Sequence, residues 1–488
     1  MTSRGERFAG AALLALVLGL VVHNAAMAQL WELGVRGRAL DVAAAWKEAL
    51  LLVALAAALW GARRVPRVTL VDVLAACYAG VVLVYALVPQ GVLDGEATAR
   101  GELLALRHHL LPVAAYVLGR LVARLWEERS RLGAAIVVAA VVVAVAGLVD
   151  LAIVSLQSWR ESGVPGWYRE QLGLDYEGLS GLPENWVYNT GDEQNPIRRL
   201  VSTLLSPLAS AYVLVVALLY VVSRPRTVWW ALLAGLLYAA LLYTHTRAAL
   251  GALAVGLLVL AVAQRRALPA VLAALSIVAG AAFLAAYPSI GPSTSYTEEE
   301  LEFLRQNAQE EPGTSADPLS PSESSTASHW RNLRDGVRAV LEHPQGYGLG
   351  NAGVVAKRTG VEIKAGESTY TEIGIDAGLA GMVAFVLWNL TLLLGLLRRE
   401  AWLGAAFAAV LLLALQTDVI GVHWLAVAVW GAAGVALGSS RGERPAEQGG
   451  VPEATHEPEP EPVPSESQHR QAASRPSCSR LLRFSVSS

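Results

Sequence analysis

The sequence predicts an all-α polytopic membrane protein with about twelve transmembrane helices and a large extracytoplasmic loop containing short helices. Two observations carry that prediction. Hydrophobic residues make up 54% of the 488 residues and charged ones only 16%, and mean hydropathy is +0.44, far from a soluble domain. Apolar runs of roughly twenty residues recur along the chain, the length a helix needs to cross a bilayer, while the polar residues gather in a few long segments.

The candidate spans are roughly 9–29, 40–60, 69–88, 103–123, 133–155, 200–222, 227–243, 247–263, 267–287, 372–397, 401–418 and 421–438. The first follows Arg4 and Arg7 but outlasts a typical signal-peptide hydrophobic region and lacks a convincing cleavage site, so it reads as an uncleaved helix. Orientation follows from arginine. One side collects Arg4, Arg7, Arg63, Arg64, Arg67, Arg120, Arg124, Arg129, Arg131, Arg224, Arg226, Arg265, Arg266, Arg398 and Arg399. The short loops opposite hold only Arg36, Arg38, Arg100 and Arg247. The arginine-rich side is expected to be cytoplasmic. Both termini then lie inside, and two long polar loops, 156–199 and 288–371, lie outside.

The transmembrane domain is expected to be 1–440. Residues 441–488, with the run Glu457-Pro458-Glu459-Pro460-Glu461-Pro462, are too polar to bury a core and read as a disordered cytoplasmic tail. Cys77 and Cys478 lie in settings too different to form a disulfide framework, and nothing reads as a metal cluster. The net charge of −3 says little about partners; no nucleic acid is expected.

An external site has no nucleotide supply, and the chain carries no Walker-type loop. The run Gly346-Tyr347-Gly348-Leu349-Gly350 follows no strand of a nucleotide fold and is a weak phosphate cradle. A bond-forming enzyme here needs a donor that arrives activated. A glycan on a lipid diphosphate qualifies, because the diphosphate leaves readily and the lipid keeps the donor in the bilayer.

Residues suited to that chemistry stand in several places. Arg198 and Arg199 enter the membrane from the first outer loop ahead of Ser202, Thr203 and Pro207, and guanidinium forks suit phosphate oxygens. Interface anchoring by snorkelling is the plainer reading of the same pair. Thr244-His245-Thr246-Arg247 is a polar turn between spans, either functional or merely solvated. Glu367 precedes a span and could accept a proton from an attacking hydroxyl, or could cap the helix.

Lys47 and Glu48 sit in a span but, as neighbours in sequence, are not an obvious ion pair; Lys47 is the better candidate, as an extra phosphate contact. Arg107 could touch diphosphate or sugar, while His108 and His109 read as interfacial, adjacent histidines alone making a poor metal site. Trp159, Trp167, Tyr168, Tyr176, Trp186 and Tyr188 suit carbohydrate stacking, but the membrane interface is the favoured reading. Asp150, Asp418 and His423 read as solvated span ends. His329, Trp330, Arg331 and Arg334 fall at helical spacing before an amphipathic run, consistent with a lid or acceptor platform.

Taken in order, these motifs resemble the O-antigen ligase and polymerase superfamily. The resemblance lies in Arg199-x-x-Ser202-Thr203 with Pro207, in Thr244-x-Thr246-Arg247-Ala248, and in Ser328-His329-Trp330-Arg331. It continues through Pro344-Gln345-Gly346-Tyr347-Gly348-Leu349-Gly350-Asn351, Glu367-Ser368-Thr369-Tyr370 and the stretch from Glu372 to Gly381. It is strongest over about 195–400. It implies a metal-independent inverting glycosyltransferase of the bacterial inner membrane, without cofactor, acting on its outer face. The donor would be an undecaprenyl-diphosphate-linked glycan and the acceptor a glycan or lipid core. Arg199 and Arg247 would hold the diphosphate and Glu367 would act as base. Arg198, Lys47, Arg107, His329, Arg331 and Tyr370 would contact substrate.

The sequence departs from the ligases at one place: the residue opening the last motif is typically His followed by Asn or Ser, and here it is Glu367 followed by Ser368. That shifts the reading towards a polymerase of repeat units in O-antigen, exopolysaccharide or wall-polymer assembly, with a ligase as the alternative. A twelve-helix transporter or flippase is the alternative of a different class. It would favour two related halves, and no convincing repeat links 1–222 with 227–438.

Overall fold

A computed structural model describes residues 3–61, 67–123, 129–188, 195–224, 227–308 and 324–438. The chain divides into Met1–Ser440 and Arg441–Ser488. The expected tail, and Arg63, Arg64, Arg124 and Arg226, lie outside the described residues.

The described chain is almost wholly helical. α1 (Arg4–Gly19) and α2 (His23–Glu32) form a pair bent by 66°, and α3 (Arg38–Ala44) and α4 (Trp46–Gly61) a pair bent by 42°. Ser3 and Glu6 close a reciprocal cap on α1. α5 (Leu70–Tyr85), α6 (Ala99–Val122) and α7 (Arg129–Ile153) follow. The first long polar segment folds as α8 (Leu156–Arg160), α9 (Gly163–Gly166), short turns, and an antiparallel pairing of β1 (Val187–Tyr188) with β2 (Ile197–Arg198). Then come α10 (Pro207–Val222), α11 (Val228–Tyr243), α12 (Arg247–Gln264) and α13 (Ala267–Ile290). The second polar segment holds α14 (Glu298–Ala308), α15 (Ser324–Glu342) and α16 (Gly353–Thr359), and the described chain ends with α17 (Thr369–Arg399), α18 (Ala401–Leu413) and α19 (His423–Gly438).

Of these, four helices are long and apolar enough to cross a membrane, and six spans result if each bent pair counts as one. α5, α10, α11, α18 and α19 are apolar but only 10–17 residues long. At 1.5 Å per residue such helices fall short of a bilayer core of about 30 Å without their flanking turns. The span expected at 200–222 is helical only from Pro207, because Ser202 and Leu205 have positive φ and Ser206 caps the helix behind them.

α6 and α19 pack through glycines. A Cβ at Gly119 would strike the carbonyl of Gly431, and one at Gly434 the carbonyl of Tyr116, so the backbones approach as close as small residues allow. At the end of α6 farther from the polar segments, Arg120 holds Asp72 with both arms of its guanidinium (2.9 and 2.8 Å) and donates to the carbonyls of Leu437 and Arg67.

The aromatic residues of the first polar segment do not form an interface belt. Trp167, Tyr168 and Trp186 are buried in a second core with Met27, Leu40, Leu156 and Leu205, and Tyr168 and Trp186 both donate to the Leu205 carbonyl. Burial with a satisfied polar tip explains them better than a membrane surface does. The two polar segments are joined by Arg160 and buried Glu300, 2.5 Å apart.

The longest helix is broken. At Ala377 and Gly378 the backbone of α17 leaves helical geometry, with φ of 66° at Gly378. The loop after α15 fills the gap: Tyr347 N–H donates to Ile375 (2.7 Å), Leu379 N–H to Pro344 (2.8 Å) and Tyr85 Oη to Gln345 (2.6 Å). The backbone groups freed by the break are thereby satisfied, as apolar surroundings require.

Candidate active site

Two groups of polar side chains meet near the ends of the apolar helices, and each is positioned by backbone that cannot be regular helix. The first surrounds Arg199, just after β2. Its Nε donates to the Thr244 carbonyl (2.9 Å) and its Nη2 to Thr246 Oγ1 (3.1 Å). Leu200 N–H donates to the Tyr243 carbonyl (2.9 Å), fixing this strand end against the α11–α12 turn. Thr246 stands at the N-cap position of α12, its hydroxyl engaged by the Thr244 carbonyl and Arg199 rather than by the helix, and Arg247 opens α12.

Between the two arginines lies His245, buried, with φ of 50°. Its ring packs on Tyr287 (4.7 Å between centroids) and Tyr188 (4.3 Å). Burial, with Arg199 and Arg247 beside it, pushes the imidazole down to about 3, so the ring is neutral. Its Nε2 is buried without a hydrogen-bond partner. Arg199 and Arg247 remain partly accessible, a pair of fixed cations flanking an uncharged ring.

Arg198 serves a different end. It is buried, it pairs with Asp150 (3.1 Å), and it donates to the Val154 carbonyl. Asp150, expected as a solvated span end, is buried too and accepts from the Trp159 indole (2.7 Å). This pair anchors the polar segment to α7.

The second group surrounds Glu367, at the return of the chain to α17. Glu367 has φ of 70° and an exposed carboxylate whose Oε2 lies 2.6 Å from His329 Nδ1, on α15. The bond to His329 holds the Glu367 carboxyl below the usual carboxylate range, against an opposing effect of partial burial. Glu367 N–H donates to Glu372 Oε1 (3.0 Å). Ser368 Oγ and Thr369 N–H donate to the Ala414 carbonyl, and Thr369 Oγ1 donates to Thr417 and accepts from Val419 N–H. The start of α17 is thus tied to the loop between α18 and α19. Tyr370 donates to the Leu411 carbonyl (2.9 Å), which commits its hydroxyl to packing. Arg331 lies exposed on α15, two residues beyond His329.

A buried polar layer lies beneath Glu367. His109 Nε2 is 3.0 Å from Asp376 Oδ2, while Asp376 Oδ1 accepts from the N–H groups of Gly350 and Asn351. Asn351 in turn holds Tyr347, Gly348, Gln90 and Glu96. The glycine-rich motif is therefore a structural clip. His108 Nε2 is 3.2 Å from Asp418 Oδ1; His109 is buried and His108 partly so, each facing a carboxylate of another segment.

Lys47 Nζ, buried, reaches the Ala44 carbonyl (2.8 Å), His23 Nε2 (3.2 Å) and Glu48 (3.4 Å), and Glu48 also meets Arg107 (3.2 Å). Lys47 and Glu48 do form an ion pair, contrary to expectation: at the first turn of α4 both side chains are long enough to meet, and Lys47 and Arg107 converge on the Glu48 carboxylate.

Tyr212, on α10, connects the two groups. It lies close to Thr417 and within electrostatic reach of both Arg199 and Asp418. Arginine forks on one side and a carboxylate held by an imidazole on the other can bind a diphosphate and accept a proton. Glu372, Asp376 and Asp418 were not singled out as site residues in the sequence. The readable signal was the cost of Glu372 and Asp376 inside an apolar run.

The described residues form a helical protein with polar side chains gathered near the ends of its apolar helices. Residues 230–386 match the family model described as O-antigen ligase, which supports the O-antigen ligase and polymerase superfamily for this chain. The match runs from α11 into α17 and includes Arg247, His329 and Glu367, while Arg199, Lys47 and Arg107 lie before it. Comparison with curated proteins finds no match.

Proposed function

We propose that the protein is a multi-pass inner-membrane glycosyltransferase that moves a glycan from an undecaprenyl diphosphate to an acceptor sugar hydroxyl on the outer face. The supporting observation is the placement of Thr417, whose carbonyl accepts from Thr369 beside Glu367 and which lies close to Tyr212, itself within electrostatic reach of Arg199. Base and diphosphate clamp are thereby neighbours across α10 and the α18–α19 loop. In this reading the bent pairs and shorter apolar helices complete about twelve spans, both termini are cytoplasmic, and α15 covers the site.

Glu367 takes the acceptor's hydroxyl proton as its oxygen attacks the anomeric carbon. The bond from that carbon to the diphosphate oxygen breaks, and the configuration inverts. The leaving lipid diphosphate carries the bonding pair, and its charge is stabilised by Arg199 and Arg247. Arg107, partly exposed beside Glu48, is the group open to a further phosphate or acidic sugar, while Lys47 is buried against Ala44, His23 and Glu48 and supports that pair. No metal is drawn on at the reacting atoms. The substitution of Glu367 for the ligases' usual histidine favours a repeat-unit polymerase.

Incubation of the purified protein in lipid with its lipid-linked repeat unit, without nucleotide, tests this. A ladder of longer lipid-linked glycans supports the polymerase. Transfer only after a lipid-core acceptor is added supports a ligase. Donor crossing the vesicle membrane without transfer overturns the enzyme reading.

A further inference from the structure

We propose that His108, Glu372 and Asp418 form a binding site for one first-row divalent cation, zinc or manganese, set behind Glu367. The three side chains come from separate segments: α6, the first turn of α17 and the loop between α18 and α19. Their ligand atoms all lie within 4.8 Å of one another. His108 Nε2 and Asp418 Oδ1 stand 3.2 Å apart, close to the roughly 3 Å expected of neighbouring ligands on an ion with bonds of about 2.1 Å. One imidazole and two carboxylates suit first-row metals better than calcium, which prefers oxygen alone.

Charge supplies the second argument. Asp376 has His109 and two backbone N–H groups, and Asp418 has His108 and the Gly421 N–H (2.9 Å). Glu372 is 7% exposed, and its carboxylate accepts a single hydrogen bond, from Glu367 N–H. Its carboxylate faces those of Asp418, Asp376 and Glu367, and the basic group beside it is the His108 imidazole, already paired with Asp418. Arg107 turns away to Glu48. A buried carboxylate facing others, with only imidazoles already engaged by Asp418 and Asp376 to balance it, is strongly unfavourable while ionised. One divalent ion neutralises Glu372 and Asp418 together and takes a neutral His108 as its third ligand.

The geometry is fixed from behind. A Cβ at Gly353 would strike the Glu372 carboxyl, and one at Gly421 the Asp418 carboxyl, so neither side chain has room to turn away on that side. The Glu367 and Gly421 N–H groups orient the two carboxylates, as hydrogen bonds around metal ligands generally do. The ion would pin α6, α17 and the connecting loop together and fix the Glu367 backbone.

The test is metal retention. Full-length protein is purified in detergent, stripped with chelator, loaded with Zn²⁺ or Co²⁺, dialysed and measured by mass spectrometry and visible absorption. One equivalent per chain is expected, with a cobalt ligand-field band. Glu372→Gln and Asp418→Asn should each lower retention by tenfold or more, while Glu362→Gln, on the surface, leaves it unchanged. A wild type that holds no metal above the buffer blank overturns the proposal, and so does equal retention in E372Q, D418N and wild type. Should those variants misfold, the wild-type cobalt band decides alone, and its absence overturns the site. Metal content is read without turnover, so this outcome and that of the transfer assay are independent.

Discussion

Replacing Glu367 with Gln removes the proposed base while nearly preserving its shape. The Glu367–His329 contact is 2.6 Å long, but the side chains are 45% and 34% exposed. A pair so open to solvent contributes at most about 1 kcal/mol to stability. Loss of general-base catalysis costs roughly 10²–10⁴ in rate, or about 3–5 kcal/mol of barrier. The chemical effect therefore exceeds the structural one severalfold, and a folded, inserted, nearly inactive protein is expected. Single-turnover transfer from the lipid-linked repeat unit reads the chemical step, with donor affinity measured separately and expected to change little. A near-wild-type single-turnover rate in E367Q would refute Glu367 as base.

The sign of the pH dependence follows from the same contact. His329 holds the Glu367 carboxyl below its ordinary range. The carboxylate is the active form above the folded pKa, and activity is lost as pH falls through it. Its stabilising contribution is likewise present above the unfolded pKa and lost through the folded one. In His329→Gln the acid limb should move to higher pH with the alkaline plateau less affected. An unchanged limb would separate His329 from the base.

Five further variants probe the surroundings. Arg199→Ala and Arg247→Ala should each lower transfer by about 10²–10³ with insertion intact, and Arg199→Lys should not restore it, because one ammonium cannot span both Thr244 O and Thr246 Oγ1 as the fork does. Wild-type single-turnover rates in either alanine variant would remove that arginine from the clamp. Arg198→Ala leaves Asp150 buried without its cation, a loss of about 3–5 kcal/mol; the check is folded yield and melting temperature, and a stable variant with only weakened donor binding would contradict the anchoring role. Gly378→Ala places a Cβ at φ of 66° against Tyr85 Oη and the Gln345 carbonyl, so thermal stability should fall, and an unchanged melting temperature would show that the break in α17 tolerates a side chain.

The residues legible in the sequence were those whose position in the chain already implied an environment. Arg199, Arg247 and Glu367 each stand where a polar segment enters an apolar run, and the described apolar helices match the expected spans in order, even where they are shorter. What stayed hidden depends on partners far away in the chain. His109 meets Asp376 and His108 meets Asp418, and no local pattern distinguishes a histidine so paired from one at a membrane surface. Lys47 and Glu48 misled for a different reason: the rule that adjacent helical residues point apart concerns Cβ directions, and two long side chains can still reach each other.

The glycine-rich stretch shows how this hidden pairing shapes the candidate site. Read alone, Gly346 to Asn351 offers loose backbone near a possible phosphate. In the fold, the loop that begins at Pro344 occupies the break at Ala377–Gly378, and the N–H groups of Gly350 and Asn351 bind Asp376. The two motifs, separated in sequence by the turn that carries Glu367, are opposite halves of one joint. That joint fixes the end of α15 against the middle of α17, and the contact between His329 on α15 and Glu367, just before α17, links the same two helices. A substitution in the clip, far from any substrate atom, should therefore act on the base through its placement. Asn351→Ala is the sharpest case, since Asn351 bonds Tyr347, Gly348, Gln90 and Glu96: it should lower the transfer rate more than donor affinity, and the reverse pattern would mean that the loop touches the donor after all.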